Sequence, residues 1–464
     1  MLETPASSGP SSSGPSSGPS SDSSAATSSP GFSLSYRRYV LGLLTVVYIV
    51  NFVDRQVLSI LLESIKLDLG LSDTQLGLLS GTAFGLFYAT LGIPIARLAD
   101  IFSRKLVIVV SLALWSAMTA LCGSASGFAM LLLYRVGVGV GEAGGSPPSH
   151  ALISDLFAPE NRGAALGIFS LGVPIGILVG LLAGGWLDES LGWRTAFVVV
   201  GLPGLVLSLI VGLTLREPPR GMADGLVGAT GSHSAREVIA FLARSRSFIH
   251  TALGGAFYAF VGYSFVTWAP SFLKRSHAMD SGEVGTWLAL IIGIGGGVGV
   301  YAGGWLSDRR ARVDPRGRAL VPAVAMFACL PFWAGVYWTN DAGLALALMV
   351  PPATFGLMYQ APAFAITQGL STPAMRATAG AVLLFVINLI GLAVGPAVTG
   401  LLSDSLEPRF GAESLRYALL IVSMMLALSG FHFWRASRTL AEDLEFVQSI
   451  QHQQASGAGA AQAS

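Results

Sequence analysis

The amino-acid sequence predicts an all-α membrane protein of twelve transmembrane helices arranged as two pseudo-symmetric six-helix bundles. Three observations lead there. The 464 residues are 52% hydrophobic and 11% charged with a mean hydropathy of +0.65, outside the range of soluble domains. Twelve apolar stretches are each long enough to cross a hydrocarbon core of ~30 Å. A polar segment at 216–247, with Pro218, Pro219 and several glycines, then divides those stretches six and six.

Taken in order, residues 1–35 are Ser, Gly, Pro and Ala with almost no apolar content, too little to bury a core, and read as a disordered tail. No basic segment precedes a short apolar core with a cleavage site, so the first span, introduced by Arg37 and Arg38, is expected to direct its own insertion. The spans fall near 38–62, 75–97, 105–126, 128–149, 163–187 and 194–215 in a first bundle (36–215). They continue near 248–272, 283–306, 318–339, 341–363, 376–402 and 414–436 in a second (248–436), with 216–247 as a linker and 437–464 as a tail. Nineteen Lys and Arg fall on the side of the termini and six on the other, so the positive-inside rule places both termini in the cytoplasm of a cell with a plasma (inner) membrane. Arginine heavily outnumbers lysine, the usage of a GC-rich, bacterial genome.

The run Leu131 to Pro148, LLLYRVGVGVGEAGGSPP, carries Arg135 and Glu142 two helical turns apart on one face. Each charge costs about 2.5–3.5 kcal/mol at a bilayer centre on insertion scales, so such residues face a bundle interior or an aqueous cavity. That makes them a functional site. The pattern GVGEAG (Gly139 to Gly144) has the spacing of a dinucleotide fingerprint, but it lies inside a span, where glycines serve close helix packing. Cys122 and Cys329 sit in separate apolar segments without ligand partners, and no nucleophile–base set, metal-ligand spacing or phosphate loop occurs. No enzymatic activity, cofactor, metal or nucleic-acid partner is expected, and net charge is only +1.

Across the halves, ARLADIFSRK (Ala96 to Lys105) after span two matches GGWLSDRRAR (Gly303 to Arg312) after span eight, and GILVGLLAGG (Gly176 to Gly185) matches GLAVGPAVTG (Gly391 to Gly400). A six-span unit repeated in parallel resembles the major facilitator transporters. ARLADIFSRK is similar to that family's loop 2–3 signature, with Ala96, Ile101 and Leu181 departing from the usual pattern of its two motifs. More narrowly, NFVDRQVLSILL (Asn51 to Leu62), LSDTQLGLL, RVGVGVGEAGGS, DLFAPENRG and GWRTAF resemble the spinster family of lipid transporters. The resemblance implies a central cavity lined by Asp54, Arg55, Arg135 and Glu142, with Ser146 one turn beyond, and proton coupling. It also implies a gate latch in which Arg104 and its neighbours Asp100 and Lys105 face Asp155. Arg162 and Asp308 to Arg310 read as latch or topology residues.

Helix rise puts Asp54 roughly 22 Å from the inner face and Arg135 roughly 10 Å from the outer one, which coincide in depth and suggest a pair. Arg135 then holds either Asp54 or an incoming anion, linking protonation to substrate binding, and Glu142 is expected to be an isolated proton carrier. Tyr258 and Trp268 in span seven are expected along a lipid-tail path, with Asn388 in span eleven either on substrate or in a helix–helix hydrogen bond. Trp333, Tyr337 and Trp338 of span nine are expected to be lipid-facing filler, and His150 is a candidate pH-responsive group. The function expected is proton-coupled export or import, by a monomer, of an amphipathic anionic lipid such as a lysophospholipid or sphingosine-1-phosphate-like molecule. The alternative is a proton-coupled carrier of a small organic acid or sugar acid.

Overall fold

The structure is a computed structural model and describes residues 32–220, 222–223, 235–372 and 375–462. The expected disordered tail lies, except for its last four residues, outside the described residues. In the first bundle, span one is Leu34–Leu69 and span three is Arg104–Cys122. Span two runs from Asp73–Gly77 through a π turn, Leu78–Thr82, into Ala83–Ile101. Span four is Phe128–Glu142 followed, after a break, by Ser146–Leu156. Span five starts at Pro159–Ser170 and enters the helix Gly172–Thr214, which turns at Gly192 (φ 78°, ψ 161°) to become span six. Only glycine takes that φ without strain, so no longer loop is needed there.

The second bundle repeats the plan. Spans seven, eight and nine are Arg246–His277, Ser281–Ala311 and Gly317–Trp338. Span ten is Ala342–Gly356, then the tight turn Leu357–Tyr359, then Gln360–Gly369. Span eleven is Arg376–Ile387, the π turn Asn388–Leu392 and Gly395–Phe410. Span twelve combines Ser414–Ser423 with Met425–Gln462, so the region read as a tail from 437 is, through Gln462, a helical continuation of the last span. The linker contributes a short helix, Ala235–Leu242.

Local sequence sets these boundaries. Side chains of Ser33, Ser103, Ser245 and Asp341 accept hydrogen bonds from backbone amides three residues on, and Ser72 with Gln75 forms a capping box. Pro351 and Pro352 precede the tight turn of span ten, and Pro396 stands in the first turn after the π turn of span eleven. Each proline removes a backbone donor where the helix changes its winding.

The glycine runs hold the spans together. Span five lies against span one at Gly180, where an added Cβ would stand 3.0 Å from Val53 Cα and 3.1 Å from its carbonyl oxygen. Span eleven meets span seven in the same way, with Gly395 over the Phe260 carbonyl. Between the bundles, Gly285 of span eight touches the backbone of Leu181, and Gly400 of span eleven touches that of Asp73. Lipid gives no hydrophobic drive between helices, so close backbone approach supplies the packing energy. Gly180→Leu should therefore separate spans one and five, at a cost of about 1–3 kcal/mol by the usual overpacking range. A thermal unfolding midpoint equal to that of the wild type would refute that packing role.

Candidate functional site

Four charged side chains meet at membrane depth in the first bundle. Arg55 Nε donates to Glu142 Oε2 at 2.5 Å. The guanidinium is caged by the rings of Phe52, Phe84 and Tyr88, with centroids at 4.9, 4.8 and 4.6 Å. The Arg55 side chain keeps 14% of its surface exposed and Glu142 none, so the arginine is the accessible member of the pair. Asp54, one residue earlier, turns about 100° away along the helix. It is fully buried against span three, where Thr119 Oγ1 donates to Asp54 Oδ2 at 3.4 Å.

This corrects two expectations. Asp54 and Arg135 share a depth but make no ion pair, because depth fixes height on a helix and not direction around it. Glu142 is the paired carboxylate and not the isolated one. Arg135 is 2% exposed, lies 5.4 Å from the Phe84 centroid, and leaves Nε and Nη1 without hydrogen-bond partners. A buried guanidinium with unused donors is suited to receive an anion. Ser146 begins the second segment of span four, one turn past Glu142, and is half-buried.

The second bundle supplies a different wall. Its spans carry no Asp, Glu, Lys, Arg or His at mid-depth. Asn388 opens the π turn of span eleven and accepts from Tyr263 Oη at 3.1 Å, so it makes a helix–helix hydrogen bond. Tyr258 is half-buried, packed against Gly356 and 4.6 Å from the Tyr359 ring. Trp268 is fully buried and donates from Nε1 to the Pro396 carbonyl at 3.0 Å, which removes it from the cavity wall. Trp333 and Tyr337 stack inside the bundle at 5.6 Å instead of facing lipid, and only Trp338 is exposed. His150 is exposed, with Nδ1 2.8 Å from the Ser146 carbonyl.

Polar contacts join the two bundles on the side away from the termini. Arg275 of span seven binds both Asp73 oxygens, at 2.7 and 2.8 Å, and Glu63 at 2.7 Å. Lys66 and Ser403 reach the same Asp73, while Asp404 accepts from the Asp73 and Thr74 amides at 3.0 and 2.7 Å. The mirror arrangement has Glu189 accepting from the Gly282 amide, and Asp188 from Ser281 and Lys274. Asp404 and Glu189 each cap the first turn of a helix in the opposite bundle. None of these was singled out from the sequence. The available signal was a repeat, GWLDESL (Gly185 to Leu191) against GLLSDSL (Gly400 to Leu406), just beyond the two glycine runs.

Known proteins agree with this architecture. The sequence profile of the Major Facilitator Superfamily matches residues 44–396. An "MFS-type efflux pump" of Mycolicibacterium smegmatis is 38% identical, over 87% of this chain and 93% of its own. "Protein spinster homolog 3" of Danio rerio is 30% identical over 89% and 87%, and the "Hexuronate transporter" of Bacillus subtilis is 27% identical over 82% and 91%. The crystal structure of a bacterial homolog of the human lysosomal transporter spinster, inward-facing and unoccupied, superposes with a TM-score of 0.82 at 32% identity, covering 89% of this chain and 99% of that one. The chain belongs to the spinster family of major facilitator transporters.

On the side of the termini, this spinster-type chain carries a cluster of polar contacts centred on Arg104. Arg104 is 4% exposed and binds Asp155 at the end of span four. It also donates to Glu217 Oε1 at 3.2 Å and to the Pro218 carbonyl at 2.8 Å, so the start of the linker is its third partner. Partial burial pushes the Glu217 carboxyl up, but hydrogen bonds from Ser103, the Arg104 amide and the Arg104 side chain outweigh it and hold the group below the usual glutamate range. The Arg104–Glu217 contact is therefore fully formed above that range and weakens as pH falls through the lowered value. Arg162 Nη2 closes on the Ser154 carbonyl at 2.9 Å. Asp308 meets Arg318 only at 3.9 Å in an exposed position, a loose counterpart. Asp100 belongs to span two, and its side chain lies outside the described residues.

Removing one partner of a buried pair costs about 3–5 kcal/mol because the other charge stays behind. Arg55→Ala should accordingly lower thermal stability more than the double change Arg55→Ala with Glu142→Gln, and equal losses would show that the pair carries no such energy. Asp73→Asn should loosen the closure opposite the termini, adding a longer distance between spin labels placed at Ser190 and Glu407. An unchanged distance distribution would mean that Asp73 does not hold that side shut.

Proposed function

We propose that this transporter moves an amphipathic anionic lipid, a lysophospholipid or a sphingosine-1-phosphate-like molecule, across a plasma (inner) membrane by alternating access coupled to protons, with both termini cytoplasmic. The observation that supports the reading most is the asymmetry of the two bundles: every charge at depth comes from spans one and four, while the facing bundle offers aromatic and aliphatic side chains with Tyr258, Tyr263 and Asn388. A headgroup against Arg55 and Arg135 with a tail against the second bundle uses both walls. An always-charged guanidinium with open donors captures the phosphate, and its arrival draws Arg55 away from Glu142. Glu142 then favours the protonated state, since burial without a cation disfavours the carboxylate. Asp54 is the second proton carrier in this scheme. The chain's positive-inside charge pattern supports the orientation.

The relative named a hexuronate transporter favours a second reading, a proton-coupled carrier of a sugar acid or small organic acid. The same two arginines would hold a carboxylate, with Tyr263 and Asn388 turned toward hydroxyl groups. Thermal stabilisation of the purified protein by lysophospholipids and by hexuronates, at two pH values, separates the two. Stabilisation by lysophospholipid that disappears in Arg135→Ala is the expected result; stabilisation by hexuronate alone would overturn the lipid reading.

A further inference from the structure

Spans one, three and four enclose a seam of polar side chains, of which the transport scheme uses only Asp54 and Glu142. Asn51 and Asp54 lie three residues apart on span one, Trp115 and Thr119 four apart on span three, and Glu142, Ser146 and Ser149 follow one another along span four. Such spacings align each set on one helix face. Asn51, Asp54, Trp115, Thr119, Glu142 and Ser149 are all more than nine-tenths buried. Four atoms among them have no hydrogen-bond partner: Asn51 Oδ1, Asp54 Oδ1, Trp115 Nε1 and Glu142 Oε1. An unpaired buried donor or acceptor costs about 1–3 kcal/mol, so several side by side indicate a shared partner. A cavity of about 10 Å³ adjoins two of these residues, Asn51 and Trp115, and is lined also by Tyr48, Ser146 and Ser149. That is the space one water molecule requires, and its polar lining supplies the contacts a buried water needs.

We propose that this seam is a proton entry route to Asp54, running from a single-water site beside Asn51 and Trp115, and that Thr119 is the positioning residue holding the Asp54 carboxylate at its deep end. The idea rests on the proton-coupled reading but adds a path that does not cross the substrate cavity. The proton comes from bulk water on the side of the termini, exchanges through the seated water, and bonds to Asp54 Oδ1, which becomes a neutral acid while Thr119 continues to donate to Oδ2. Other ionisable groups facing Asp54 are Arg135 and Glu142 of span four and Cys122 of span three; Arg55 and Tyr48 share its helix but act on one another, and His150 lies one turn beyond Ser146. Spans five and six approach this region with Gly180, Gly201 and Gly204, which carry no charge, and span two with Phe84.

The test needs no substrate. Infrared difference spectra of the purified full chain report the carboxylic-acid band of Asp54, with Asp54→Asn as the blank, during titration from about pH 4 to about pH 9 and after a rapid acid step. Thr119→Val should raise the midpoint by about one pH unit, because it deletes a hydrogen bond to the charged form, and Thr119→Ser should restore it. Trp115→Phe should lose the fast phase of band growth. An unmoved midpoint in Thr119→Val, a Thr119→Ser variant that matches Thr119→Val, a wild-type rate in Trp115→Phe, or no titrating Asp54 band would each overturn the proposal. Failure of lysophospholipid to stabilise the protein would sink the substrate reading and leave this result standing.

Discussion

A charge inside an apolar bundle is costly without a partner, and Arg55–Glu142 is the buried pair in which this chain meets that demand, while Asp54 and Arg135 beside it form no ion pair. Much of the first bundle is arranged around it. Span four breaks immediately after Glu142, which frees Ser146 to begin a new segment. Gly139 and Gly141 admit the backbones of spans two and three, bringing Phe84 close enough to cover both arginines. Since the two charges cancel, the first bundle holds a strong electrostatic contact that an anionic ligand can compete for.

The second bundle has no matching demand, and its interior is closed by aromatic packing such as Phe265 on Trp333 and Trp333 on Tyr337. Its charges lie at its two ends, and at the end remote from the termini Arg275 and Lys274 reach into the first bundle. There the pseudo-symmetry is chemical as well as geometric. Asp404 and Glu189 occupy corresponding places in the repeat, and each caps a helix of the other bundle. On the opposite side Arg104 binds its own bundle and the linker, so the two faces are held by different means.

Several site residues were visible in the sequence because they violate its pattern. Arg135, Glu142, Asp54 and Arg55 stand out in apolar runs, and the Arg104–Asp155 contact was implied by the resemblance of the loop after span two to a family motif. Asp73, Asp188 and Glu217 looked like ordinary loop charges, since nothing in a linear pattern says which loop of one bundle will face which loop of the other. Trp268 looked like a cavity aromatic, because an aromatic on a span reads the same whether it points to a cavity, to lipid or into the bundle.

By itself the sequence determined the twelve spans, their division into two repeated halves and the depth of each charge, because hydropathy and a rise of about 1.5 Å per residue act along one dimension. It also determined where helices could touch, through the glycines. Only the tertiary structure decided who pairs with whom. Asp54 and Arg55 are neighbours in sequence yet face span three and the cavity respectively, and that choice depends on how the helices rotate about their axes when they pack. Rotation is set by contacts between residues far apart in the chain, and so it appears in no local pattern.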